Sequence, residues 1–430
     1  MNGALEGIRV IDYTQIVAGP FAGSLLSDMG ADVIKVEPTW GEPQRESAPF
    51  IPNETRNYLA LNRGKKSLPL NLKHAKGLEI FYKLVSTADV VIINSRPDVP
   101  AKLGIDYDSL KKINPKIIYC ENSTYGNEGP MSHLPGSDLL SQAVGGLITS
   151  DKKIEDDLPQ YITASPIVDH ATAFAMCWGV TTALYHREKT GNGQKIDTSL
   201  LGTAMSLLTP AFIEVDAVDK ERVDDFLKGL KKIKENNEPI SMAIDLKKQD
   251  AGAFLGSYAN NYYRIFHVKN GVIAVGILGN RVRKKFMDLL GINDFRLDPD
   301  FDSVNLDGWD TSDDLNVKKI FEETEEKLNN YTISEILPKM HDAGIPAAEV
   351  LFTEETSRLE QVKANGLMVE LEHSLAGKYR TVGPVLKMSE TPLVAKLPAP
   401  ALGEHTDQIL ELLGYTVEDI EELRSNEVIV

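Results

Sequence analysis

The sequence predicts an α/β chain, in which a parallel sheet with helices on both faces is built from both ends of the chain and a smaller α+β unit is inserted between them. Three observations carry this. Short β-branched runs alternate with helical patterns over about the first 200 residues. A charged, amphipathic stretch from about 216 to 250 then breaks the rhythm. Beyond about residue 330 the rhythm returns. Strands separated by helices of about 10–15 residues imply βαβ units, and therefore a parallel sheet.

Each element follows from its local pattern. Gly7–Tyr13 (GIRVIDY) reads as a buried strand, and Gly19–Gly30 as a helix with small and apolar residues on one face. Asp32–Glu37 (DVIKVE) is a second strand. Gly77–Thr87 carries Leu78, Phe81, Leu84 and Val85 at helical spacing. Asp89–Ile93 and Lys116–Cys120 are further strands, the latter preceded by the turn signal Asn114-Pro115. Asp169–Lys189 is one long apolar helix that closes on basic residues and then Gly191, which is helix-stop chemistry. Pro239 ends the charged stretch, and a smaller unit follows with a strand at Gly271–Ile277 and a helix at Arg281–Leu290. A helix at Ser334–Asp342, strands at Ala347–Phe352 and Arg380–Met388, and two short helices complete the chain. This is a Rossmann-like large domain formed by 1–215 and 331–430, with a small domain and linker over 216–330.

Composition narrows the function classes. The 430 residues are 42% hydrophobic and 25% charged, ordinary values for a globular protein and enough for two domains. The formal charge of −17 argues against nucleic acid and against an anionic membrane surface, since both reward basic proteins. No apolar run reaches the roughly 18–20 residues that span a bilayer. The opening MNGALEGIRVIDYT lacks a basic region followed by an apolar core, so no secretion signal is predicted. The two cysteines, Cys120 and Cys177, lie in apolar runs, which fits a reduced, cytoplasmic setting. Eight scattered histidines, with no HxxxH or CxxC pair, give no metal-ligand spacing.

Three motifs have a functional and a plain reading. The AGPFAG turn after the first strand offers only Gly19 and Gly23, and Pro20 removes a donor from the helix start. A dinucleotide fingerprint needs GxGxxG, so these glycines are read as packing positions instead. Arg63, Lys65, Lys66, Lys73 and Lys76 form a local basic excess, either a phosphate site or a solvated loop. Asp169 opens a helix, where an aspartate is usually a cap. Alone, it does not distinguish cap from nucleophile.

Beyond these motifs the chain resembles the class III CoA transferases. The resemblance runs from LEGIRVIDYTQIVAGPFAGSLLSDMGADVIKVEP through NRGKKSLPLNLK and ADVVIINSRPDVPAKLGIDYDSLKKINPKIIYC. It continues through YGNEGP, PGSDLLSQAVGG, PIVDHATA and TALYHREKTGNGQKIDTSLL to GPVLKMSETP and LGEHTDQILELLGY. It is weak only over about 205–265.

That resemblance implies an interlocked-ring homodimer acting on an acyl-CoA and a carboxylic acid, with no cofactor beyond the CoA thioester and no metal. It makes Asp169 the nucleophile, working through an aspartyl anhydride and an aspartyl-CoA thioester, with a carboxylate already ionised at pH 7. It places Val17 and Ala18 near the CoA thiol, and Arg63, Lys65, Leu72 and Lys73 around the adenosine. Asn94, Ser95, Arg96 and Lys102 fall at the phosphates and pantetheine, and Ser137 joins the CoA contacts. Lys102 stands where a relative has Arg, and Pro38 replaces another arginine, so the latter contact is expected to be absent. Gln15 faces the substrate carboxylate. The glycine-rich loop of relatives is matched only by Gly252 and Gly256 in DAGAFLGSYAN, which could equally be an ordinary domain-crossing loop. Two alternatives remain. A racemase-like enzyme of the same family uses a histidine in a PGHD-like segment, where this chain has Pro135-Gly136-Ser137-Asp138. A non-catalytic CoA-binding dimer is the other.

Overall fold

The computed structural model describes residues 3–250, 261–301 and 311–430. The chain divides into two compact units, Met1–Glu214 with Glu360–Val430, and Val215–Leu359.

In the first unit the strands are β1 (Arg9–Tyr13), β2 (Asp32–Glu37), β3 (Lys65–Pro69), β4 (Val90–Ile93), β5 (Ile118–Ser123) and β6 (Lys195–Ser199). They form one parallel sheet in the order β3-β2-β1-β4-β5-β6. Its helices include α1 (Ala18–Asp28), α2 (Ala75–Thr87), α3 (Asp138–Val144) and α4 (Ile167–Thr190). A sheet covered on both faces needs apolar side chains on both, and the central strand Val90–Ile93 is buried at every position. Ile11, Val91 and Ile93 point to a core with Phe81, Leu84 and Ile409. Val10, Val90 and Ile92 point to the other, with Leu26, Met176 and Val180.

The edge strands β3 and β6 escaped the sequence reading because their charged residues hide the strand pattern. Lys65 is nevertheless buried, its ammonium on Asp12. β5 also continues through the polar Glu121-Asn122-Ser123, which pair with β6.

The second unit holds α5 (Asp216–Glu235), β7 (Tyr263–Val268), β8 (Gly271–Gly276), α6 (Asn280–Leu290), α7 (Thr311–Asn329), α8 (Ile333–Asp342) and β9 (Ala347–Glu349). Its antiparallel sheet runs β9-β8-β7. The chain returns to the first unit at Glu360 instead of 331. The physical reason is pairing: Ala347 sits opposite Val275 on β8, and Ile336 and Met340 share a core with Phe266 and Phe286. The strand in this region ends at Glu349, short of the expected Phe352.

Back in the first unit, β10 (Met368–His373) and β11 (Gly377–Val382) form a hairpin, followed by α9 (Thr406–Leu412) and α10 (Val417–Ser425). The strand expected at Arg380–Met388 therefore lies earlier and stops before Gly383-Pro384, since proline cannot donate to a ladder. Among the described residues, no helix is long and apolar enough to cross a membrane.

Candidate active site

The strand order places a reversal between β1 and β4, from which the chain runs outward to β2 and β3 on one side and to β5 and β6 on the other. Loops leaving the carboxyl ends of the two strands diverge there and open a crevice, the usual ligand position in an open α/β sheet. A cavity of about 450 Å³ occupies this position. Its wall is built from Tyr13–Ile16 after β1, Asn94–Pro97 after β4 and Asn122–Thr124 at the end of β5. Gly136, Ser137 and Asp169 close it from α3 and α4.

Asp169 stands in the first turn of α4, whose N-cap, Pro166, offers no side-chain acceptor. The cap comes instead from Asp138, at the start of α3. Its Oδ1 accepts from the backbone N–H of Val168 at 2.8 Å and of Asp169 at 3.1 Å, while Oδ2 accepts from Gln142 Nε2 at 2.6 Å. Two of the N–H groups that a helix start leaves unpaired are thus satisfied from 30 residues away. Burial pushes the Asp169 carboxyl up to about 7, and the like charge of Asp138 adds to this. The carboxylate is therefore only partly ionised at pH 7, which corrects the expectation that it is fully ionised there.

The loop after β1 is held strand by strand. Asn94 clasps Gln15 through both amide atoms, Oδ1 accepting from Gln15 N at 2.8 Å and Nδ2 donating to Gln15 O at 2.7 Å. Lys35 Nζ donates to Thr14 O at 3.0 Å, and Thr14 N donates to Asp12 Oδ1 at 3.1 Å. Ile16, with φ of 72°, donates its N–H to Glu42 Oε2 at 2.7 Å. Glu42 and Lys35 are fully buried and paired at 2.9 Å. Burial alone would lower the Lys35 pKa, but Glu42, Asp12 and Glu37 together raise it.

Close approach of α1 to this charge layer explains its glycines. A Cβ on Gly23 would lie 2.6 Å from Asp12 Oδ2 and 3.0 Å from Lys65 Nζ, and one on Gly19 would collide with the Thr14 side chain. Both are packing positions.

Of the residues singled out from sequence, Gln15, Asn94, Ser95, Arg96, Ser137 and Asp169 come together on the cavity wall. Arg96 is the one lysine or arginine there among the described residues. Ser95 Oγ is sealed from solvent without a hydrogen-bond partner among them. Val17 and Ala18 are buried at the start of α1, and Leu72 is buried in the core beside β3. Lys73 is exposed, and Lys102 is exposed and paired with Asp98 at 2.6 Å.

Two members of the basic cluster are turned inward, while Lys73 and Lys76 are exposed. Arg63 is buried on Asp28, and Lys65 lies on Asp12, Asn62 Oδ1 and the carbonyl of Pro20. Neither side chain has a face left for a phosphate. Gly252 and Gly256 lie outside the described residues. Tyr13, Thr14, Ile16, Glu42 and Asn122–Thr124 were not singled out from the sequence, although the rule that ligands sit at strand carboxyl ends points to most of them. His170 packs its ring on Phe21 and bonds the Pro166 carbonyl, and neither it nor His133 is on the wall.

Comparison with known proteins identifies the family. The family model described as CoA-transferase family III matches residues 5–406. The succinyl-CoA:glutarate CoA-transferase of Mus musculus is 30% identical, with 99% of this chain and 90% of that protein covered. The formyl-CoA:oxalate CoA-transferase of Rhodopseudomonas palustris (strain TIE-1) is 30% identical, covering 99% and 97%. Among solved structures, a CaiB/BaiF family protein from Brucella suis superposes with a TM-score of 0.72 at 26% identity, covering 96% of this chain and all 100% of that one. A family model spanning nearly the whole chain, relatives of this kind and a cavity closed by an aspartate lead to one conclusion: the protein belongs to CoA-transferase family III.

Proposed function

We propose that this enzyme moves CoA from an acyl-CoA to a small carboxylic acid, a dicarboxylate by preference, with Asp169 as the nucleophile. The observation that carries the reading is Asp169 on the wall of the strand-end cavity of a family III chain. Two relatives are named for pairs of acids, succinate with glutarate and formate with oxalate, which supports a small or dicarboxylic substrate.

An Asp169 oxygen attacks the thioester carbonyl carbon, the C–S bond breaks, and CoA leaves as thiolate with a mixed anhydride behind it. The thiolate then attacks the Asp169 carbonyl carbon, releasing the donor acid and leaving an aspartyl-CoA thioester. The acceptor carboxylate attacks this thioester and repeats the sequence in reverse, which regenerates Asp169. Each step exchanges a carboxylate for a thiolate, so the chemistry requires neither a metal nor a redox group. Asn94, Ser95 and Arg96 are assigned to CoA, with Arg96 the local cation on the cavity wall. Gln15 is assigned to the acyl end, and Ser137 to CoA. Val17 and Ala18 are assigned to the thiol end of CoA, and the exposed Lys73 and Lys102 to its nucleotide end. The working form is assigned as a homodimer in the cytoplasm.

Asp169→Ala should keep its fold and CoA affinity while transfer falls on the order of 10³-fold or more, and Asp169→Asn should be nearly as inactive. The wild-type protein, incubated with succinyl-CoA and quenched with neutral hydroxylamine, should yield a hydroxamate on Asp169 by peptide mass spectrometry. Normal turnover in either variant would end this reading.

A further inference from the structure

Ile16 is a β-branched residue in the left-handed region, a conformation such residues rarely adopt and which costs roughly 1–3 kcal/mol. Strain of this size persists only where surrounding contacts over-determine it. Here the determining contact is visible. The Ile16 N–H is held at 2.7 Å by Glu42 Oε2, while the preceding peptide is clasped from the other side by Asn94. Glu42 is itself immobile. Its other oxygen meets Lys35 Nζ at 2.9 Å and lies 3.5 Å from Asn62 Nδ2, and its own N–H is bonded to Glu37 Oε2 at 3.1 Å. A buried carboxylate satisfied on both oxygens makes strong, charge-assisted bonds.

The consequence lies on the cavity wall. The left-handed turn at Ile16 sits between Gln15 and the start of α1, and Gln15, Ile16 and Glu42 all line the space that Asp169 closes. An ordinary right-handed or extended residue at 16 would redirect the chain and carry Gln15 away from its place.

We infer that Glu42 is a positioning residue for the transfer reaction, its buried carboxylate locking Ile16 in the left-handed turn that fixes the Gln15–Ile16 part of the wall of the cavity that Asp169 closes. The inference rests on the transferase reading for its chemical consequence, but the lock itself is a statement about the backbone.

The test is a double-substitution cycle with two readouts. Glu42→Gln keeps the shape and an oxygen for Ile16 N–H but loses the charge, and Ile16→Gly removes the strain, because glycine adopts positive φ freely. Glu42→Gln should slow single-turnover formation of the Asp169 hydroxamate about tenfold, the size expected for releasing one strained residue, while the CoA Kd changes less than about threefold. On an Ile16→Gly background the same substitution should slow it by less than about threefold, because residues in contact are not additive. Amide exchange across residues 14–17 should accelerate in Glu42→Gln and leave β1 and β4 protected. Should Glu42→Gln fail to fold, Glu42→Asp on the two backgrounds supplies the same cycle, since it keeps the charge but shortens the reach to the Ile16 N–H.

Equal slowing on both backgrounds, or CoA affinity and global stability falling in step with the rate, would overturn the inference and leave Glu42 an ordinary buried ion. A wild-type protein that forms no hydroxamate with any donor would instead remove the transferase reading. Amide exchange would then decide the lock by itself.

Discussion

Asp169 is required to be both sheltered and charged, and these demands conflict. With its pKa raised to about 7, the folded protein favours the protonated acid whereas the unfolded chain favours the carboxylate. The sign follows: ionising Asp169 costs stability, increasingly so as pH rises from about 4 to about 7. Asp169→Asn should therefore melt about 2–4 °C above the wild type at pH 8, with the gap closing as pH falls towards 4 in thermal scans. The rate of hydroxamate formation should show an acidic limb near pH 7. Asp138→Asn retains an oxygen for the Val168 and Asp169 amides but removes the repelling charge, so this limb should move to lower pH. A limb that stays in place would show that burial alone sets the value. At this scale the sequence was legible where motifs lie at strand ends. Gln15, Asn94–Arg96, Ser137 and Asp169 converge because one sheet brings them together. The inward pairing of Arg63 and Lys65 could not be seen in the sequence, because their partners, Asp28 and Asp12, lie 35 and 53 residues earlier, beyond the reach of a local pattern.

Among the elements, α1 shows how tightly a helix is set against the charge layer beneath it. Gly23→Ala would drive a methyl against the Asp12–Lys65 pair, whose members are both fully buried. Overpacking of this kind costs about 1–3 kcal/mol, and urea unfolding should show it as a lower midpoint with an unchanged slope. The central elements could be read from sequence because apolar periodicity is strong wherever both faces are covered, as in Val90–Ile93. The edges could not. β3 and β6 carry Lys65 and Lys195, whose charges are neutralised by Asp12 and Glu121, partners distant in the chain, and charge in a sequence reads as solvent. The same blindness set the second domain boundary too early, since only strand pairing shows that β9 belongs with β8.

At the level of the molecule, the first unit cannot be assembled from the N-terminal segment alone. Ile409, Leu410, Ile420, Leu423 and Val428 fill the same core as Ile11 and Val91, and Leu70 bridges to Ile429. Arg45 adds a polar tie. It is fully buried, pairs with Glu37 and Glu54, and donates to the carbonyl of Pro400. Deleting residues 404–430 should expose that core and give a chain without a cooperative thermal transition, seen as insoluble expression or loss of the sigmoidal melt. A truncated protein that stays soluble and melts cooperatively would show that the tail merely decorates the unit.

Because the first unit draws on both ends of the chain, its completion is also a matter of time. At ribosomal speeds of about 5–20 residues per second, roughly seven to thirty seconds separate the emergence of Glu214 from that of Glu360, and the residues that close the core follow later. During that interval the sheet's apolar face is a nascent surface with its cover still unmade. The second unit, continuous in sequence, is free to finish first. Each ribosome thus carries a half-built sheet waiting for its own C-terminus, and holding that sheet apart from its neighbours is a task for chaperones.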